Sequence, residues 1–281
     1  MEAAYDTCLA MLRAGDRDRY LCALLTPHPH RGPVAALYAF NMEIARIRDA
    51  VTEPMAGEVR LQWWRDLIAG QAHGGAGGHP VASALLRTID DHALPREILM
   101  NMIEARRFDL YDDPMPDRNT FEGYAGETAA ALIQLCARIL DSAGSAATPS
   151  AAGHAGVAQL TAGLLLLLPL HRARGQLYIP AEILKAAGLD RDAFLAGRDA
   201  ARIRQALLAF VALGREHLRQ AREAARAVSP DCFAAFLPVA TADMVFERAE
   251  KQGSAIVQMP PGVAQWRRQI RLWNAARRLQ F

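Results

Sequence analysis

Four charged residues stand out in residues 38–51, because the helix that this stretch predicts is otherwise apolar over much of its circumference. They are Glu43, Arg46, Arg48 and Asp49. A helix this apolar lies inside a protein, where every charge needs a partner or a wet cavity. The spacing therefore predicts either a buried polar network or the charged wall of a cavity.

Metal binding by histidine or cysteine is not favoured by the spacing of these residues. His28 and His30 stand two residues apart in the proline-rich segment 27–33, which favours a solvated turn leading into the apolar helix. The cysteines form no Cys-x-x-Cys pair, and they are predicted to be buried free thiols in a reducing compartment. They are Cys8, Cys22, Cys136 and Cys232.

Composition favours a soluble globular protein. A hydrophobic content of 52% with 22% charged residues suits a chain with a sizeable core, and a net charge of +2 predicts no nucleic-acid partner. We find no linker, so residues 1–281 are predicted to form a single domain. The acidic N-terminal segment lacks the basic region of a secretory signal, so the expected location is the cytoplasm.

The longest apolar run covers residues 156–170. It is shorter than the roughly 20 apolar residues that a membrane span needs, which favours a helix buried in a soluble core. There is no Asp or Glu between Asp141 and Glu182. The predicted buried helix therefore offers no carboxylate for a metal ion.

The elements that must position these residues are almost all helices. The only extended-looking segment covers residues 176–180, and residues 70–79, with His73 and His79, are expected to form a solvated flexible loop. Helices are predicted over residues 2–14, 16–25, 38–51, 58–68, 81–91, 95–111, 120–140, 151–168, 181–187, 190–196, 202–226, 230–251 (interrupted near Pro238) and 263–281.

Several motifs resemble the squalene/phytoene synthase family from about Tyr20 to the C-terminus. They are Tyr38-Ala39-Phe40, the segment 103–110, Gln159-Leu160-Thr161 and the segment from Arg174 to Pro180. The resemblance implies an all-α, isoprenoid synthase-like bundle around a central cavity. Family enzymes join two prenyl diphosphates with Mg²⁺ held by two aspartate-rich motifs.

The chain departs from the family pattern at those motifs. In the register set by Tyr38, the first pair of aspartates falls on Ala45 and Arg46, and only Asp49 matches the third. The second motif has no carboxylate. This pattern resembles a divergent branch that includes the mitochondrial complex I assembly factor.

Two functions follow from the resemblance. The first is a non-catalytic protein, without cofactor, that binds a prenyl or lipid ligand or a protein partner, with a respiratory-chain protein in complex I assembly as the partner that the resemblance implies. The alternative is an active, Mg²⁺-dependent prenyltransferase of isoprenoid biosynthesis that uses Asp49, Glu104, Asp109 and Glu127. Without the resemblance, Glu104 and Arg107 would be read as an ion pair on a surface helix.

The resemblance also gives candidates for cavity and ligand binding. They are Tyr38, Asn41, Arg46, Asp49, Glu104, Asp109, Tyr124, Glu127, Gln159, His171, Arg174 and Tyr178, with Asp49 the only and weak candidate for a metal ligand. A phosphate group could also bind directly to Arg46, Arg48, Arg172 or Arg174. The alternative, which is favoured for each arginine, is an ion pair in a residual polar core. The partners would be Asp49, Glu104, Asp109 or Glu127.

Residues 263–281 predict a basic amphipathic helix. Val263, Trp266, Ile270 and Trp273 follow helical spacing among several arginines. Packing of the tryptophans on the bundle is favoured, and contact with an anionic inner-membrane surface is the alternative.

Overall fold

The structure is a computed structural model that describes residues 2–71 and 78–281. These residues form fourteen α-helices joined by turns, 3₁₀ segments and one π-helical segment, with no β-strand among them. The helices are α1 (Glu2–Gly15), α2 (Arg17–Leu25), α3 (His28–Ala45), α4 (Pro54–Ile68), α5 (Pro80–Asp91), α6 (Arg96–Ala105), α7 (Arg118–Ala125), α8 (Ala131–Leu140), α9 (Pro149–Ala173), α10 (Ala181–Ala186), α11 (Arg191–Ala196), α12 (Ala200–Ala224), α13 (Ala242–Gln252) and α14 (Gln265–Arg278).

Helix α3 lies at the centre because most of its side chains after Arg31 are apolar. Its residues from Pro33 to Met42 are all buried, and it packs against α1, α2, α5 and α8. One cluster of buried side chains runs from Cys8 in α1 to Phe281 at the C-terminus. The all-α prediction is confirmed, and the assignment of residues 1–281 to one domain stays a prediction.

The predicted start of the central helix is wrong. Segment 27–33 is not a turn, because α3 already begins at His28 with Pro27 as its N-cap. The first turn of a helix does not use its backbone N–H groups, so Pro29 fits there. The helix also ends early, at Ala45, and Asp49 lies on a following 3₁₀ turn.

Other predicted boundaries shift by local changes in helix type. The helix predicted over residues 95–111 ends at Ala105, and a 3₁₀ turn, Phe108–Leu110, follows it. The helix predicted over residues 120–140 contains a π-helical segment, Gly126–Ala130. Residues 230–241 form 3₁₀ helix through Pro238. His73 lies outside the described residues.

Helix α9 is the long apolar helix of the core. By length and composition alone it could cross a membrane, yet 61% of its most apolar window is buried within the protein. It packs against α12, α13 and the π-helical segment. The prediction of a buried helix agrees with this packing, and the helix extends beyond its predicted end at residue 168 to Ala173.

Helix α14 turns its aromatic residues away from the bundle, so the favoured prediction for the tryptophans is wrong. Leu272 and Ala275 are its buried residues, whereas Trp266 and Trp273 are at least half exposed. The helix has two apolar rows with helical spacing. The row with Leu272 and Ala275 packs on the bundle, and the row with the bulkier tryptophans does not.

The contact between α9 and the π-helical segment depends on Gly156. A Cβ atom at this position would lie 2.6 Å from the backbone nitrogen of Ala130, whereas a Cβ atom at Gly153 would have no neighbour within 4 Å. Gly156→Ala should lower the free energy of unfolding by about 1–3 kcal/mol through overpacking. Gly153→Ala should raise it by about 0.5–1 kcal/mol through helix propensity. Urea unfolding of both variants tests this, and equal effects would contradict it.

Candidate functional site

An open cavity of about 490 Å³ lies among α2, α3, α9, α13 and α14. Leucines of α9 form one wall, because this helix turns Leu160, Leu164, Leu166 and Leu167 towards the cavity. Small residues on the same helix, Ala162 and Gly163, also line it. The leucines have therefore not filled the space between the helices.

A buried carboxylate, that of Asp109, forms the polar floor of this cavity. The hydroxyl of Tyr124 donates to its Oδ1 at 2.8 Å and lies 3.0 Å from Oδ2, and the hydroxyl of Tyr178 donates to Oδ1 at 3.0 Å. Arg106 Nη1 donates to Oδ2 at 3.1 Å and to the hydroxyl of Tyr124 at 2.6 Å. Asp109 is only 7% exposed, so its buried oxygens are satisfied by protein donors.

Each floor residue is placed by a different element. Asp109 lies on the 3₁₀ turn after α6, Tyr124 on α7 and Tyr178 on the extended segment after α9. Gln176 Nε2 donates to the backbone carbonyl of Asp109 at 3.2 Å and holds the turn against this segment. The carboxylate thus joins three parts of the chain.

Tyr124, Tyr178 and Arg106, which surround the Asp109 carboxylate, keep their protons at neutral pH. Burial raises the pKa of the Tyr124 phenol, and burial and then the charge of Asp109 raise that of Tyr178. Both hydroxyls therefore remain donors. Burial alone would lower the pKa of the Arg106 guanidinium, but interactions with Tyr124 and Asp109 outweigh it and raise that pKa overall.

Six of the twelve predicted residues line the cavity. Besides the three floor residues, Asn41 accepts a hydrogen bond from Arg106 at 3.5 Å, Gln159 faces the cavity from α9, and the ring of His171 lies 5.0 Å from that of Tyr178. Burial lowers the pKa of His171, with the charge of Asp109 opposing this effect. The neutral imidazole is thus the favoured form at pH 7.

The other six predicted residues lie elsewhere. Asp49 and Arg174 form an ion pair with each other, Glu104 pairs with Arg65 and Arg107 on the surface, and Glu127 is exposed. Tyr38 is buried beside Cys136. Arg46 donates to the carbonyl of Gly15 at 2.9 Å.

The four arginines predicted to bind phosphate do not line this cavity. Arg48 pairs with Asp112 at 3.5 Å, and Arg172 donates to the carbonyl of Leu195 at 2.8 Å. Arg174 forms an ion pair with Asp49, which is the arrangement that the alternative predicted for these arginines.

A different set of arginines borders the cavity, and sequence reasoning missed it. Arg106 and Asp109 have the i, i+3 spacing of a helical ion pair, and this spacing could have identified Arg106 as the partner of Asp109. At the rim, Asp18 of α2 pairs with Arg268 of α14, and Arg19 pairs with Asp16 at 3.0 Å. The 250 residues between Asp18 and Arg268 leave no sequence signal for that pair, whereas Asp16 and Arg19 have the i, i+3 spacing of a local ion pair.

The charges that line the cavity are four arginines, including the exposed Arg17, and three aspartates. Arg17 has no ion-pair partner among the described residues. The rim therefore carries one uncompensated cation at its outer edge, which favours an anionic group there.

The residues present do not fit a Mg²⁺ cluster. Mg²⁺ needs several oxygen ligands in octahedral geometry. Each carboxylate that lines the cavity is paired with an arginine, and the facing residues of α9 offer none. Within residues 2–71 and 78–281, no three His, Cys, Asp or Glu side chains are placed to hold a metal ion.

A second pocket lies on the opposite side of α3. It is lined by Glu43, Trp63, Trp64 and His79, with His79 Nε2 3.4 Å from the Glu43 carboxylate. His79 also accepts a hydrogen bond from the backbone N–H of Ala82 at the start of α5, so it is not the solvated loop residue that was expected. Burial raises the pKa of Glu43, with His79 opposing this effect.

Comparison with known proteins shows the family to which this sequence is similar. The sequence profile described as squalene/phytoene synthase matches residues 12–274. The "NADH dehydrogenase (ubiquinone) complex I, assembly factor 6" of Homo sapiens is 30% identical over 244 residues, which is 87% of this chain and 73% of that protein. The Bos taurus protein of the same name is 32% identical over 230 residues, 82% of this chain and 69% of that protein.

Solved structures confirm the predicted isoprenoid synthase-like fold. A dehydrosqualene synthase in complex with ligand superposes with a TM-score of 0.81 at 16% identity, covering 99% of this chain and 96% of that one. A squalene synthase from Alicyclobacillus acidocaldarius has a TM-score of 0.73 at 20% identity, covering 89% and 94%. At these identities the likeness concerns the fold alone.

The Asp109 network should be a main contributor to stability. Asp109→Asn removes the charge that compensates the buried Arg106 guanidinium, so we expect a loss of about 3–5 kcal/mol in the free energy of unfolding. Glu104→Gln, on the surface, should cost less than about 1 kcal/mol. Chemical denaturation measures both, and similar small losses would contradict a satisfied buried network.

His171 should make the protein less stable in acid. Its pKa is below 6.5 in the folded state, so the unfolded chain binds its proton more readily. The stability that the neutral ring contributes is fully present above pH 6.5 and is lost as the pH falls through the lowered folded value. His171→Gln should lose less stability than the wild type between about pH 7 and about pH 5. Denaturation at several pH values measures this, and equal slopes would contradict it.

Proposed function

This chain belongs to the squalene/phytoene synthase family, and we propose that it is a non-catalytic member that binds an anionic lipid in the central cavity and acts in the assembly of respiratory complex I. The proposed location is the cytoplasm, at the inner face of the membrane. The observation that carries the proposal is the buried Asp109 carboxylate, which three protein donors already occupy.

The chemistry of the family reaction supports a non-catalytic role. Ionising an allylic prenyl diphosphate releases a highly charged diphosphate into an apolar site, and bound Mg²⁺ would supply the compensating charge. Here the cavity carboxylates Asp16, Asp18 and Asp109 are each neutralised by an arginine. Freeing one for a metal ion would leave a buried or half-buried arginine unpaired, at a cost of about 3–5 kcal/mol for the buried pair.

The shape of the cavity supports a lipid ligand. Its leucine wall suits an acyl or prenyl chain, and its rim offers the uncompensated charge of Arg17 to an anionic headgroup. Arg106 adds a buried Nε–H that has no hydrogen-bond partner among the described residues. A prenyl diphosphate would fit this distribution of charge without being ionised.

The names of the relatives support the role in complex I assembly. The mammalian proteins that match most of this chain are complex I assembly factors. Their similarity covers 87% and 82% of this chain, which supports a shared role.

A cavity-filling variant tests the function. A Cβ atom at Gly163 would have no neighbour within 4 Å, so Gly163→Phe can fill the cavity without a clash at its Cβ. Gly153→Phe is the matched control, because Gly153 has the same open surroundings on the same helix and does not line the cavity. In a strain from which the gene is deleted, complex I should be depleted on native gels. The wild type and Gly153→Phe should restore it, and Gly163→Phe should not.

Two results would overturn the proposal. Normal complex I in the deletion strain would remove the assembly role. Full rescue by Gly163→Phe, with the variant protein present at the wild-type level, would remove the requirement for an open cavity.

A further inference from the structure

We propose that the outer face of α14 docks on the surface of an anionic phospholipid bilayer through Trp266, Ile270 and Trp273. These side chains are 58%, 51% and 50% exposed. Their spacing of four and three residues puts them on one face of the helix. Large apolar side chains in such a row are unusual on a surface that meets only water.

The opposite face fixes the helix to the bundle. Leu272 and Ala275 are buried, Arg268 pairs with Asp18, and Arg271 donates to the carbonyl of Ala240 at 3.0 Å. The exposed row is therefore held outward by contacts on the other side of the helix. Its presentation does not require the helix to detach.

The positive charge of α14 favours an anionic partner. The helix has five arginines and no acidic residue. Arg267 lies over the ring of Trp266 at 5.3 Å and Arg277 over that of Trp273 at 4.6 Å. Tryptophan rings with adjacent arginines suit the headgroup layer of a membrane, where the rings enter the apolar boundary and the guanidinium groups meet lipid phosphates.

Neighbouring acidic residues do not cancel this charge. Asp243 of α13 pairs with Arg215 at 2.6 Å and with Arg222 at 3.1 Å, and Glu247 pairs with Lys251. The arginines that flank the exposed indoles therefore remain available. This excess of positive charge favours an anionic bilayer over an uncharged apolar protein surface.

Docking would also place the cavity rim near the lipids. Gln265 and Arg268 line the cavity, and both lie within one helical turn of Trp266, a rise of about 5 Å. A lipid headgroup at the membrane surface would then be close to this rim, where Arg17 has no ion-pair partner among the described residues. This last step rests on the proposed lipid-binding function, whereas docking itself does not.

Flotation of the full chain with liposomes tests the docking. We expect binding to vesicles of phosphatidylcholine and phosphatidylglycerol, weaker binding to phosphatidylcholine alone, and loss of the difference at high salt. Trp266→Ser with Trp273→Ser should lower the partition coefficient by at least about tenfold, because two indoles leave the interface.

Arg267→Gln with Arg277→Gln should weaken binding to the anionic vesicles only. In a Trp63→Phe, Trp64→Phe variant, the remaining tryptophans are Trp266 and Trp273. Brominated lipid should quench their fluorescence when the protein binds the vesicles.

Met55→Ser with Val59→Ser is the matched control, because these apolar residues on α4 are even more exposed, at 68% and 65%. Its binding should equal that of the wild type, and thermal melting should show that all variants fold. Equal flotation of the tryptophan variant and this control would overturn the proposal. Failure of the wild-type chain to float with anionic vesicles would also overturn it. This holds even if the chain self-associates through its tryptophans. Because the vesicles need no prenyl ligand, docking can succeed or fail independently of ligand binding in the cavity.

Discussion

The buried carboxylate of Asp109 is the interaction on which the rest of the site depends. It joins the turn after α6 to α7 and to the segment after α9 through Arg106, Tyr124 and Tyr178. A buried charge of this kind is tolerated only when its partners are complete. The same completeness makes it a poor metal ligand, so one arrangement both holds the helices around the cavity and disfavours Mg²⁺ chemistry.

The cavity combines features that are common in lipid-binding sites. Leucines of α9 form its wall, while arginines lie at its floor and rim. The residues that α9 turns towards the cavity include no carboxylate, and the space stays open because Ala162 and Gly163 are small. In the proposed function the retained fold serves binding, and the exposed face of α14 would bring the rim of the cavity to its source of lipid.

Much of the fold could be predicted because helical periodicity is strong along this chain. The family resemblance gave Asp109, Tyr124 and Tyr178 as cavity candidates, and in the structure all three line the same cavity. The i, i+3 spacing pairs Arg106 with Asp109 and equally pairs Glu104 with Arg107, so spacing alone does not say which of the two pairs is buried. Ion pairs between distant helices, such as Asp18 with Arg268, have no local pattern at all.

Two other differences have physical reasons. Proline-rich segment 27–33 fits a helix start as well as it fits a turn, since the first turn needs no backbone donors. Helix α14 has two apolar stripes, and its sequence alone cannot say whether Trp266 or Leu272 faces the bundle. Only the packing of the neighbouring helices decides which stripe is buried.

The central claim is binding without catalysis, and one titration tests it directly. Purified protein is mixed with farnesyl or geranylgeranyl diphosphate, with and without Mg²⁺, and binding and diphosphate release are followed together. The account predicts saturable binding that does not require Mg²⁺ and no release above background, with Gly163→Phe abolishing the binding. Magnesium-dependent release of diphosphate would contradict the account and make the chain an enzyme.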